Sequence, residues 1–153
     1  MIIDGGDFHS SAPIVGPENT VVLIRDMRKD NPFWKFAGGK KQLIKPFGKK
    51  QRGETPLECL LREIKEETSL SVRKSQAQYV TTEDKGNHNK HYFLCRIASF
   101  RRLFTLSNEY EEPKIFSLED LMWLPNFHPS YRDIFFKHML PLIKQGQSWP
   151  AAN

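Results

Sequence analysis

Apolar positions along the chain fall into short β-branched runs on either side of one long helical pattern. Thr20-Val-Val-Leu-Ile-Arg25 is a compact apolar run and reads as a buried strand. The polar turn Asp26–Asn31 separates it from a second extended piece, Pro32–Phe36, just ahead of Gly38-Gly39. From Thr55 to Thr68 the spacing becomes helical, with Leu57, Leu60, Leu61 and Ile64 on one face. Thr55 is a good N-cap, Pro56 suits the first helical position, and Glu58 completes a capping box. Gln76–Thr82 and Lys90–Phe100 predict paired strands joined by the turn-forming Asp84–Asn89. Ile115-Phe116 predicts a short strand, and Ser117–Leu121 a one-turn helix capped by Ser117. Tyr131–Lys144 is a second amphipathic helix, which Pro141 is expected to kink or shorten. Residues 1–18 carry Pro13, Pro17 and three glycines without periodicity and are expected to form a loose arm. Residues 146–153 read as a tail, which leaves one domain at 19–145. Strands before and after a central helix, then a terminal helix, predict an α/β fold: an α/β/α sandwich around a mixed β-sheet.

Composition narrows the class. Eleven Phe, three Trp and four Tyr in 153 residues are too many for a disordered chain and enough for one core. No run of roughly 18 apolar residues is present to span a membrane. The start has no basic segment followed by an apolar one, so a cytoplasmic protein is expected. Cys59 and Cys95 are too few for a disulfide framework or a Cys-based zinc site, and both read as packing residues. The net charge of +5 points to an acidic partner: nucleotide, nucleic acid or anionic surface. The excess is concentrated between Trp34 and Gly53, where seven basic residues (Lys35, Lys40, Lys41, Lys45, Lys49, Lys50, Arg52) occur without an acid. Four glycines in the same stretch mark it as loop.

The helix that follows is acidic. With Glu63 set at zero on a helical wheel, Glu66 falls near ~300° and Glu67 near ~40°, so the three share one stripe. That stripe borders the apolar face, which places it at the rim of the buried side. Like charges at this spacing repel, and Arg62 relieves them in part by reaching Glu66 one turn on. Hard divalent cations such as Mg²⁺ or Mn²⁺ take carboxylate oxygens as ligands and resolve the repulsion.

Read in full, Gly48-x5-Glu54-x7-Arg62-Glu63-Ile64-x-Glu66-Glu67-x-Ser69-Leu70 resembles the Nudix box of the MutT-like Nudix hydrolases, G-x5-E-x7-R-E-U-x-E-E-x-G-U with U aliphatic. Eight of the nine restricted positions match; Ser69 stands where the family has Gly, the residue that ends the helix in a left-handed turn. Trp34-Lys-Phe-Ala-Gly38-Gly39-Lys40 also looks like the W-x-x-P-G-G-K that leads into the box, so either Gly39 or Gly48 is the box glycine. If it is Gly39, residues around Lys40–Phe47 are an inserted basic loop.

The resemblance implies the family's α/β/α sandwich and hydrolysis of a pyrophosphate linkage in a nucleoside diphosphate derivative with Mg²⁺ or Mn²⁺. It implies Glu63, Glu66 and Glu67 as metal ligands, a contribution from Glu54, a backbone carbonyl of the box glycine, and Arg62 holding the loop–helix geometry. A late catalytic glutamate would come from Glu109, Glu111 or Glu112. Lys40, Lys49, Lys50 and Arg52 lie where substrate phosphates would dock. Phe33, Trp34 and Tyr110 read as core residues before base-stacking ones, and His88 and His91 as exposed turn histidines. Two other readings stand behind the leading one: removal of pyrophosphate from the 5′ end of RNA, and a catalytically silent nucleotide-binding module.

Overall fold

The computed structural model describes residues 2–103 and 110–145. Nine strands are assigned among them: β1 Phe8–Ala12, β2 Ile14–Val15, β3 Val21–Asp26, β4 Ala37–Lys40, β5 Leu43–Ile44, β6 Arg52–Gly53, β7 Ala77–Asp84, β8 Asn89–Arg96 and β9 Glu111–Phe116. The long helix is α1, Pro56–Thr68. After β9 come the one-turn helix α2, Leu118–Met122, and a C-terminal helical stretch made of α3, Pro129–Ile134, a π turn at Phe135–Met139, and α4, Leu140–Lys144.

Seven strands form one mixed sheet in the order β4-β1-β8-β2-β3-β9, with β7 also paired to β8. β1 and β2 run parallel to successive stretches of β8, while the β1–β4, β2–β3, β3–β9 and β7–β8 pairs are antiparallel. The two faces bury different residues because side chains alternate along a strand. In β3, Val22 and Ile24 pack with Leu60 and Ile64 of α1, whereas Val21 and Leu23 pack with Phe135, Met139 and Ile143 of the C-terminal helix. This is the expected α/β/α sandwich. No helix among the described residues is long and apolar enough to cross a membrane.

Three expectations need correction here. Residues 8–15, expected in a loose arm, form β1 and β2 at the centre of the sheet, with Phe8, Ala12, Ile14 and Val15 buried. Their apolar positions are too few, and too interrupted by serines and Pro13, to show a period of two. His91, expected exposed, is buried in β8 between the Thr82 hydroxyl (2.8 Å) and the Asp4 carboxylate (2.7 Å), which ties the start of the chain to the sheet. Of the two effects expected of Pro141, a kink or a shortened helix, the helix is not shortened but carries an irregular π turn just before the proline. A proline cannot give an N–H to the preceding turn and crowds the carbonyl there; the π turn just before it, closed by the Leu140 N–H on the Phe135 carbonyl, absorbs the misfit. The tail, 146–153, lies outside the described residues.

The ends of α1 follow the sequence closely. The Thr55–Glu58 capping box is formed, and Ser69 takes the left-handed turn with φ 67°, its N–H on the Lys65 carbonyl. That conformation costs a non-glycine residue about 1 kcal/mol. Ser69→Gly is therefore expected to raise Tm by roughly 2–4 °C in a thermal melt followed by circular dichroism, and an unchanged or lower Tm contradicts the strain.

Candidate functional site

The glycine pair of β4 packs directly on α1. A Cβ on Gly38 would lie 2.1 Å from the Ser10 carbonyl, so backbone bars a side chain there, whereas a Cβ on Gly39 would lie 2.5 Å from the Glu63 carboxyl carbon and would displace that carboxylate. This close approach lets the Gly38 N–H donate to Glu67 Oε1 at 2.7 Å and brings Cys59 Sγ within 3.5 Å of the Gly39 carbonyl. Cys59 and Cys95 are buried free thiols; burial pushes the Cys59 thiol up to about 12, well away from a nucleophile's range.

Gly48 stands elsewhere. It is the third residue of a tight turn, Pro46-Phe47-Gly48-Lys49, closed by the Lys49 N–H on the Pro46 carbonyl (2.9 Å), and its φ of +71° is the left-handed value that position calls for. A Cβ there would meet nothing within 4 Å. The glycine at the carboxylates is Gly39, and Gly48 lies in the turn of the hairpin that β5 and β6 form.

Arg62 organises the acidic side chains. Its Nε and Nη2 grip the two Glu54 oxygens at 2.8 and 2.9 Å, Nη1 reaches Glu63 at 2.8 Å and Glu66 at 3.2 Å, and Nη2 also donates to the Lys40 carbonyl at 3.0 Å. Glu54 is only 3% exposed and accepts the Gln42 N–H as well, so it anchors the loop rather than facing solvent. The stripe on α1 is thus not uniform: Glu67 is 8% exposed, Glu63 half-buried and Glu66 exposed.

Electrostatics single out Glu67. Burial raises its pKa first, to about 9, against the Gly38 hydrogen bond; Glu111 and Glu63 raise it further and Lys35 lowers it. Burial is likewise the largest cause of the upward shifts of Glu63 and Glu111. Glu111 comes from β9, opposite Asp26 of β3, which puts it on the side of Glu67. Glu112, its neighbour, points to the other face and pairs with Arg25 at 2.9 Å. Of the late glutamates only Glu111 joins the site; Glu109 lies outside the described residues. Arg52 is also elsewhere engaged, bidentate on Glu58 at 2.7 Å to both oxygens, so it does not face a substrate phosphate. Lys40 is exposed beside the site, and Lys49 and Lys50 are exposed on the hairpin.

The sequence marks two further residues at this site only as part of the basic stretch, Lys35, and of the last helix, Tyr131. Lys35 lowers the pKa of both Glu67 and Glu111. Tyr131, half-buried at the start of the C-terminal helix, is raised to about 12 by desolvation and then by Glu67 and Glu83, and the Lys90 ammonium sits 4.0 Å above its ring. A lone lysine and a helical tyrosine are ordinary until the sheet brings them beside the glutamates. Trp34 is buried in the core against Phe116; Phe33 and Tyr110 are exposed, and His88 stacks near His9 at 5.0 Å.

Buried carboxylates that raise one another's pKa form a donor set that a divalent cation would relieve. Among the described residues no group of three or more His, Cys, Asp or Glu side chains is placed to hold a metal ion as it stands. The glutamates stand close enough to interact, with Glu63 turned to Arg62 and Glu67 to Gly38. They suit a hard cation in kind and burial.

The NUDIX domain model matches residues 9–138, which takes in β1 and all of the strands and helices that carry the site. Among curated proteins none matches the chain in sequence. Solved structures do match in fold. One from a study of MutT in Aliivibrio salmonicida and Vibrio cholerae is 18% identical, covers 91% of this chain and 94% of that one, and has a TM-score of 0.61. A MutT protein from Methanosarcina mazei Go1 is 18% identical over 97% of this chain and 99% of its own, TM-score 0.61. A nudix hydrolase family member from Chromobacterium violaceum is 20% identical over 96% and 85%, TM-score 0.62.

Proposed function

We propose, for a chain that belongs to the Nudix family and is a hydrolase of phosphorus-containing acid anhydrides, that its substrate is a nucleoside diphosphate derivative and that a divalent cation, Mg²⁺ or Mn²⁺, is its cofactor. The observation that carries the reading is the approach of the Gly38-Gly39 strand to Glu63 and Glu67, with Glu111 on the same side. Glu63 and Glu67 would hold the cation, with Glu66 at the exposed edge and the Gly39 carbonyl beside them. The cation, when bound, neutralises phosphate oxygens and acidifies the attacking water.

The chain's own groups do the rest. Arg62 fixes Glu54 and Glu63, so the loop entering α1 and the helix move as one piece. The Gly38 N–H fixes the orientation of Glu67 through Oε1. Glu111, with its raised pKa, is suited to take the proton of the attacking water at a carboxylate oxygen. Lys35 and Lys40 supply positive charge for the phosphate oxygens, which gather negative charge as the bond to the leaving group opens. A cytoplasmic setting belongs to the same proposal.

The test is release of phosphate or pyrophosphate from a panel of nucleotides (ADP-ribose, dinucleoside polyphosphates, NADH, nucleoside triphosphates) with Mg²⁺ present. Turnover of at least one supports the reading, and none across the panel overturns it. A pair of variants separates the two glycines. Gly39→Ala pushes the Glu63 carboxyl aside and is expected to lower kcat/KM about 10²-fold, the scale of a misplacement near 1 Å. Gly48→Ala is expected to cost about 1 kcal/mol of stability and to leave mononucleotide turnover within about twofold. Equal losses of activity would put both glycines at the site.

A further inference from the structure

We propose that the β5–β6 hairpin is a clamp for the strand of a single-stranded oligonucleotide whose 5′-terminal anhydride enters the glutamate cluster. This rests on the hydrolase reading above and names the class of substrate. The hairpin lies between Gly39 and Glu54, held at its base by the Glu54 N–H on the Gln42 carbonyl and the Gln42 N–H on the Glu54 carboxylate, both 2.9 Å. It therefore projects from the residue that Arg62 grips.

Its tip is built to display one side chain. The turn around Gly48 leaves Phe47, at the second position, fully exposed. The closed turn fixes the backbone that carries the ring, so little backbone entropy is lost on binding. Lys45, Lys49 and Lys50 surround it, all exposed, and no acid occurs between Lys40 and Gly53. An aromatic ring flanked by lysines is the pairing that single-stranded nucleic acid takes: bases stack on the ring and phosphates meet the ammonium groups. Phe47 is five residues from Gln42, up to roughly 17 Å in an extended strand, a span that about five stacked nucleotides cover. A membrane surface is the weaker fit, since insertion uses a broad apolar face and the tip offers a single ring among charges.

The experiment is fluorescence anisotropy in chelator with a 5′-triphosphorylated RNA 12-mer, with a nucleoside triphosphate as the short reference. Phe47→Ala is expected to weaken binding of the 12-mer roughly 5- to 100-fold, at least fivefold more than that of the nucleoside triphosphate. Replacing Lys45, Lys49 and Lys50 by Gln is expected to flatten the slope of log K against log salt by about 2. Phe47 is fully exposed, so the variant should fold. Equal binding of the 12-mer by the wild type and Phe47→Ala overturns the clamp. So does loss, in that variant, of binding to phosphatidylcholine–phosphatidylserine vesicles with the 12-mer unaffected. Because the readout needs no turnover, a protein that binds the 12-mer through Phe47 but hydrolyses nothing overturns the proposed function and leaves the clamp standing.

Discussion

Replacing Glu67 by Gln is expected to lower turnover about 10³-fold and, in the absence of metal, to make the protein more heat-stable. Loss of activity follows from removing the most buried carboxylate of the α1 stripe, the one oriented by Gly38; losses of this order accompany removal of a positioned catalytic group. The stability gain follows from its pKa. Burial raises it from 4.5 to about 9, so the folded protein keeps a proton that the unfolded chain releases. Stability is therefore lost as pH rises from about 4.5 toward 9. Gln cannot ionise and escapes that loss. Tm measured in chelator from pH 5 to 9 should fall for the wild type more steeply than for Glu67→Gln, with the two curves closest at pH 5. Parallel curves would mean that Glu67 is not held protonated by its surroundings.

Arg62→Ala is expected to be the most destabilising single change at the site. It leaves Glu54, 3% exposed, with its charge unanswered. Breaking one side of a buried pair costs about 3–5 kcal/mol, or roughly 6–20 °C in Tm for a chain of this size. Arg62→Lys should restore little, because a compact ammonium cannot span Glu54, Glu63 and the Lys40 carbonyl together. Adding Glu54→Gln to Arg62→Ala should recover part of the loss by removing the orphaned charge. No recovery would mean that the cost comes from lost packing of the arginine stem.

What could be read from the sequence was local. Thr55, Pro56 and Glu58 act within one turn, so the start of α1 was legible, and Glu63 and Glu67 follow from 3.6 residues per turn. The difference between Glu66 and Glu67 was not, because it depends on where β4 lies against the helix. Gly48 matches a pattern by spacing, and only the hairpin pairing of β5 with β6 shows that it stands in a turn apart from the carboxylates. Glu111 and Glu112 are adjacent in sequence, and the pairing of β9 with β3 sends them to opposite faces. β1 was missed because its partners, β4 and β8, lie about 28 and 80 residues away, beyond any periodicity. Arg52 was assigned to phosphate although Glu58, one turn into the helix, was the nearer anion.

The most direct measurement is the rate of pyrophosphate-bond cleavage by the wild-type protein against free Mg²⁺ concentration, on whichever nucleotide of the panel is turned over. The result expected is no turnover in excess chelator, a saturable rise with Mg²⁺, and partial replacement by Mn²⁺. Turnover that persists unchanged in chelator would contradict the assignment of Glu63 and Glu67 to a cation.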